Sequence, residues 1–190
     1  KFGLWFEPEM ISPDSDLYRE HPDWAIHIDE REGVQSRNQM VLDLSRDEVC
    51  EYVINAVSDI LANANIEYVK WDMNRQLTDM PRLGYNHEYT LGYYKIMSAI
   101  TEKFPNILFE GCSAGGGRFD AGVLAYMPQI WTSDNSDAIA RLKMQYSTSM
   151  CYPVYSISSH VTASPNHQCG RDTSLKTRAD VAYCGTFGYE

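Results

Sequence analysis

The chain has 190 residues, 44% hydrophobic and 22% charged, the balance of a globular domain around one core. Its net charge of −10 repels phosphate backbones and anionic membranes, so no nucleic acid or membrane partner is expected. The five cysteines have irregular spacing, no CxxC pair and an odd total, which argues against a disulfide framework or zinc knuckle and for a reducing, cytoplasmic setting.

In chain order, residues 2–6 read as a short apolar-aromatic strand and residues 39–44 as another. Residues 46–64 read as a helix, because Val49, Val53, Val57, Ile60 and Leu61 recur at spacings of three and four. Ser45 followed by Glu48 fits a capping box at its start. A strand over 66–71 follows, then a helix over 88–104 with Leu91, Tyr94, Ile96 and Ile100 as anchors, stopped by Pro105-Asn106. The second half repeats the alternation. Strands are predicted over 107–110, 129–131, 155–158 and 186–189, with a short helix over 120–126 and longer ones over 137–150 and 175–183. Ile139, Leu142 and Met144 are the apolar anchors of the helix over 137–150, and His160 and His167 fall in a long polar loop.

Strands alternating with helices predict an α/β fold with parallel strands. Polar residues follow nearly every strand: Glu7 and Glu9, Asp72, Glu110 and Cys112, Asp134, His160. Such a ring of strand-end groups favours a (β/α)8 TIM barrel over a Rossmann sheet. A whole barrel runs to about 250 residues. The chain therefore reads as an incomplete barrel of about six β/α units, with N-terminal units missing, and its two ends read as cuts through strands.

Two strand-end aspartates carry the chemistry. Lys70 and Asp72 are two apart, so they share one side of their strand, and a nearby lysine favours the ionised carboxylate that a nucleophile requires. A strand-end salt bridge and helix cap is the alternative. Asp134 and Asp137 flank a polar turn beside Trp131, which could wall a general acid; the alternative is N-capping, with Asp134 or Ser136 capping the helix that starts near Asp137. Gly115-Gly116-Gly117 lacks the ending of a phosphate loop, so these glycines read as points of close backbone approach. His160 and His167 lack zinc-site spacing, and Arg37 alone reads as a surface residue.

Four segments together resemble the α-galactosidases of glycoside hydrolase family 36. They are Trp5-Phe6-Glu7-Pro8-Glu9-Met10, Lys70-Trp71-Asp72-Met73-Asn74-Arg75, Cys112-Ser113-Ala114-Gly115-Gly116-Gly117-Arg118-Phe119-Asp120 and Trp131-Thr132-Ser133-Asp134-Asn135-Ser136-Asp137. The resemblance implies a retaining, double-displacement mechanism on terminal α-linked galactose, as in raffinose and melibiose. Asp72 falls on the nucleophile and Asp134 on the acid/base, with Asp137 as its rival. Trp5, Arg37, Lys70, Asn74 and Cys112 fall on positions that contact the galactose ring. No metal or organic cofactor is implied. An upstream aspartate pair, an N-terminal β-sandwich and a C-terminal sheet domain would lie outside residues 1–190, and the full-length protein would be a homo-oligomer. Ala114 stands where many members have glycine. Retention predicts carboxyl groups about 5 to 5.5 Å apart. The other readings are an inactive barrel fragment or carbohydrate-binding relic, and a transglycosylase of the raffinose- or stachyose-synthase type.

Overall fold

A computed structural model describes residues 2–190, and Lys1 lies outside them. The chain forms two compact units that divide between Leu108 and Phe109. In the first, the order is β1 (Gly3–Phe6), β2 (Met10–Ile11), α1 (Asp16–Glu20), a 3-10 turn at Pro22–Trp24, β3 (Met40–Val41), α2 (Asp47–Asn63), β4 (Tyr68–Trp71) and α3 (Tyr85–Lys103).

β1 and β4 run parallel, with Trp5 opposite Lys70 and Phe6 opposite Trp71. The Asp72 amide donates to the Phe6 carbonyl at 2.8 Å, so the ladder extends one step beyond β4 and fixes the backbone from which the Asp72 carboxylate projects. The strand predicted over 39–44 is not part of this parallel pairing. Met40 and Val41 pair antiparallel with Ile11 and Met10, and Leu42 bridges antiparallel to Ala25.

α2 buries Val49, Cys50, Val53, Val57 and Leu61 along one stripe, whereas Ile60 is 43% exposed and lies off it. The capping box does not form. The Ser45 hydroxyl donates instead to Asp43 Oδ1 at 2.6 Å, an oxygen that also accepts from the Tyr85 hydroxyl at 2.6 Å. That bond to a charged acceptor orients the Ser45 side chain toward Asp43 rather than toward the α2 amides from which a cap oxygen accepts. Arg46 takes the N-cap position without a side-chain cap.

α3 starts at Tyr85, three residues before the predicted start, because Gly84 at φ +79° turns the chain into it. Its inner face is Tyr85, Tyr89, Tyr93, Ile96, Met97 and Ile100, while the predicted anchor Leu91 is exposed. Gly92 lets this helix press on the turn before α2: a Cβ there would sit 1.8 Å from the Leu44 carbonyl oxygen.

The second unit carries β5 (Leu108–Gly111, of which Leu108 belongs to the first unit), a 3-10 turn at Val123–Ala125, β6 (Gln129–Trp131), α4 (Ala138–Ser149), a 3-10 turn at Val154–Ser156, β7 (Ile157–Val161), α5 (Leu175–Ala182) and β8 (Thr186–Tyr189). The predicted helix over 120–126 is only that first 3-10 turn. β5, β6, β7 and β8 pair in that order and all run parallel. The predicted strand over 155–158 starts at Ile157 and runs on to Val161, which takes His160 out of the loop and into the sheet. Parallel strands alternating with helices make this an α/β fold.

α4 reverses the apolar expectation. Ile139 and Leu142 are exposed, Leu142 by 51%, and the buried face is Ala138, Arg141 and Gln145. Gln145 Nε2 donates to the Val181 carbonyl at 3.0 Å, and its Oε1 accepts from the Ser159 hydroxyl at 2.7 Å. A polar helix face can be buried when each group finds such a partner.

Candidate active site

In the first unit the groups converge on Asp72, which is 6% exposed. Asp72 Oδ2 accepts from Trp5 Nε1 at 3.1 Å and from Asn74 Nδ2 at 2.7 Å, and Oδ1 accepts from the Met73 amide at 2.8 Å. In all three bonds the carboxylate is the acceptor, the role an ionised aspartate fills. Trp5 reaches it from the neighbouring strand because it pairs with Lys70, two residues before Asp72. Lys70 is half-buried on β4, and the alternation of the strand puts it on the side of Asp72.

A second carboxylate stands behind this one. Glu7 Oε1 accepts from Asn74 Nδ2 at 2.6 Å and lies 3.8 Å from Arg37 Nη1, and Oε2 lies 3.5 Å from Gln39 Nε2. Asn74 therefore bridges Glu7 and Asp72 with one amide nitrogen. Arg37 and Asn38 both adopt positive φ, at 54° and 59°, in the tight turn that presents the Arg37 guanidinium. That turn is tied back to the segment after Asp72. Arg75 Nη2 donates to the Val34 carbonyl and sits 3.6 Å from Asp79 Oδ2, and the Val34 amide donates to the same Asp79 oxygen at 3.0 Å.

In the second unit Asp134 sits in the turn after β6 and is exposed. Its Oδ1 accepts from Trp131 Nε1 at 3.0 Å. Asp137 is different: 2% exposed, it caps α4 by accepting from the Ala140 amide at 3.0 Å, and Arg171 Nε lies 3.3 Å from its other oxygen. A buried cap committed to a helix has no oxygen facing solvent for a substrate.

The glycine run holds the backbone that carries Asp134. The Gly116 amide donates to the Thr132 carbonyl at 3.1 Å. A Cβ on Gly115, which has φ +86°, would lie 2.9 Å from Ser133 Cα, and one on Gly116 would lie 2.8 Å from Thr132 O. These are the close backbone approaches that glycine permits. Cys112, buried at the end of β5, begins the same loop. Ala114 has φ +47°, in the left-handed region that glycine occupies without cost.

From the far side of the turn, Gln168 Nε2 donates to the Asp134 carbonyl, and its Oε1 accepts from the Ser136 amide at 2.9 Å. Trp131 is flanked by the Arg141 guanidinium, 4.1 Å from its ring, and by the His160 ring, 4.7 Å away.

Trp5 and Asn74 are thus joined directly to Asp72, Arg37 joins them through Glu7, and Lys70 lies on β4 opposite Trp5. Cys112 and Asp134 belong to one glycine-braced corner of the second unit. No motif singles out the roles of Arg141, Gln168 and Arg75: Gln168 and Arg75 reach the Asp134 and Val34 carbonyls from distant parts of the chain, and Arg141 reaches back from α4 to backbone carbonyls that carry no sequence signal. Sequence reasoning also gave no role to two fully buried glutamates. Glu9 accepts from Trp71 Nε1 at 2.8 Å and from the Tyr89 hydroxyl at 2.6 Å. Glu110 accepts from the Ser158 hydroxyl at 2.8 Å and from Gln129 Nε2.

The melibiase family profile matches residues 1–190. Alpha-galactosidase AgaA of Geobacillus stearothermophilus is 56% identical, covering 100% of this chain and 27% of that protein. The bifunctional alpha-galactosidase/sucrose kinase AgaSK of Mediterraneibacter gnavus is 55% identical, again over 100% of this chain but 20% of its own length. Among solved structures, the galactosidase domain of AgaSK superposes with a TM-score of 0.97 at 54% identity, over 100% of this chain and 26% of that one. A variant of AgaA in complex with raffinose superposes with a TM-score of 0.96 at 55% identity, over 100% of this chain and 27% of that one. The chain thus spans between 20% and 27% of the length of these relatives.

Proposed function

The chain belongs to the melibiase family, and we propose that it is part of the catalytic (β/α)8 barrel of a retaining α-galactosidase. The substrates are galacto-oligosaccharides of the raffinose and stachyose class, the ligands seen in two AgaA complexes. The reaction is double displacement. Asp72 attacks the anomeric carbon, and Asp134 protonates the departing glycosidic oxygen. Asp134 then takes the proton from water as it releases galactose with its α configuration retained.

The observation that carries this reading is the contrast between the two aspartates. Asp72 is buried and accepts bonds from Trp5, Asn74 and the Met73 amide, a fixed anionic acceptor. Asp134 is exposed on a braced turn, and its carboxylate accepts from the Trp131 indole. A nucleophile must be held rigid and charged, whereas an acid/base must reach both a leaving oxygen and water. Asp137 is set aside for the second role because it is engaged as the cap of α4. Trp5, Arg37, Lys70, Asn74 and Cys112 line the sugar site in this reading.

The test is stereochemical. The full-length protein is incubated with melibiose, and the first galactose released is followed by proton NMR. Retention gives α-galactose first and β-galactose only by later mutarotation. Initial release of β-galactose would overturn the mechanism.

A further inference from the structure

The turn that carries Asp134 is gripped by one buried cation. Arg141 projects from the first turns of α4 and is 4% exposed. Its Nε donates to the Asn135 carbonyl at 3.0 Å, Nη2 to the Ser133 carbonyl at 2.7 Å, and Nη1 to the Thr132 hydroxyl and, at 3.4 Å, to the Ser158 carbonyl. The guanidinium plane also lies 4.1 Å from the Trp131 ring, and Trp131 is the residue whose indole donates to Asp134.

These partners are neutral oxygens and an aromatic face. Burial lowers the Arg141 pKa to about 10, which leaves it a cation at neutral pH. The carboxylates of Glu190, Asp134 and Glu110 offset part of that burial through space, but the hydrogen bonds of the guanidinium all end on neutral oxygens, and desolvating a charge against such acceptors is costly, so stability alone is a poor reason for an arginine here. What the guanidinium does supply is geometry. Its rigid fork fixes Thr132, Ser133 and Asn135 at once, on both sides of Asp134, and seats the indole that donates to the Asp134 carboxylate.

We propose that Arg141 is a positioning residue for Asp134: it sets the placement of the carboxylate that delivers the proton to the leaving group. This rests on Asp134 being the acid/base. Lysine retains the charge, but a single ammonium cannot serve three divergent acceptors and stack on Trp131 together. A displacement of about 1 Å at a reacting group costs on the order of 100-fold in rate.

The experiment uses the full-length protein and kcat/KM, which reports the first, acid-assisted step. Arg141→Lys, Arg141→Ala and Asp134→Ala are each compared on melibiose, whose sugar leaving group needs protonation, and on a nitrophenyl α-galactoside, whose leaving group needs little. Arg141→Lys is expected to lose on the order of 10- to 100-fold on melibiose and less than about 3-fold on the aryl substrate. Added guanidinium ion should restore part of the melibiose rate of Arg141→Ala. A merely structural residue would lower both substrates in proportion, through loss of folded enzyme. Proportional loss in Arg141→Lys, or no loss on either substrate, overturns the positioning role if Asp134→Ala is itself selective for melibiose. Proportional loss in Asp134→Ala overturns the acid/base reading, and the role of Arg141 with it.

Discussion

Asn74 and Asp72 share a 2.7 Å hydrogen bond, and the same Asn74 nitrogen lies 2.6 Å from Glu7, so one amide separates the carboxylate after β4 from the one after β1. A hydrogen bond to a charged acceptor contributes about 1.5 to 3 kcal/mol. Asn74→Ala should therefore lower kcat/KM on galactosides by roughly 10- to 100-fold. Asn74→Asp should do more damage, because it puts a third carboxylate between Glu7 and Asp72. Steady-state kinetics of the full-length variants check both. Activity within about twofold of the parent in Asn74→Ala would show that the bridge has no part in catalysis.

Three positions with positive φ predict a graded series. Gly115→Ala meets Ser133 Cα at 2.9 Å and needs φ +86°, so it should lower both the melting temperature and galactosidase activity by displacing the Asp134 turn. Gly84→Ala has a similar φ, +79°, with nothing within 4 Å, and should cost only about 1 kcal/mol with activity retained. Ala114→Gly relieves a left-handed alanine and should be neutral or stabilising by up to about 1 kcal/mol. Thermal denaturation with parallel activity assays separates the three.

Asp134 and Asp137 lie three residues apart and should fail in different ways. Asp137→Ala removes the cap of α4 and leaves Arg171 without its carboxylate, so it should destabilise by about 1 to 2 kcal/mol and lower activity on all substrates alike. Asp134→Ala removes no backbone cap. It should leave the melting temperature nearly unchanged while losing far more activity on raffinose than on aryl galactosides. The opposite pattern would exchange their roles.

Burial raises the Cys50 thiol to about 11, and its sulfur lies 3.2 Å from the Leu44 carbonyl. It should resist alkylation under native conditions that label the exposed Cys151, Cys169 and Cys184, as read by peptide mapping. The folded value is above the unfolded one, so the native state holds a proton that the unfolded state gives up. The stability from this group is whole below about pH 9 and is lost as pH rises towards 11. Cys50→Ser should shrink that alkaline loss.

The α/β alternation was legible because each long element carries its own period, as the Val49–Val53–Val57–Leu61 stripe of α2 does. What escaped was decided by partners distant in sequence. Ser45 looks like a cap until Asp43 takes its hydroxyl, and α4 looks apolar inward at Leu142 until Arg141 and Gln145 find acceptors on β7 and α5. The candidate site divides in the same way. Asp72, Asp134 and the glycines were visible as motif residues. The bridge through Glu7, the commitment of Asp137 to α4 and the grip of Arg141 were not, since each depends on where the fold brings a side chain.

The central claim is that Asp72 forms a covalent bond to galactose. The most direct test treats the full-length protein with a fluorinated α-galactosyl fluoride, which forms the glycosyl-enzyme faster than water removes it, followed by proteolysis and mass spectrometry. One added fluorogalactosyl group is expected, on the peptide containing Asp72 and on that carboxylate. Label on any other residue, or turnover of the reagent with no label at any time, would contradict the claim.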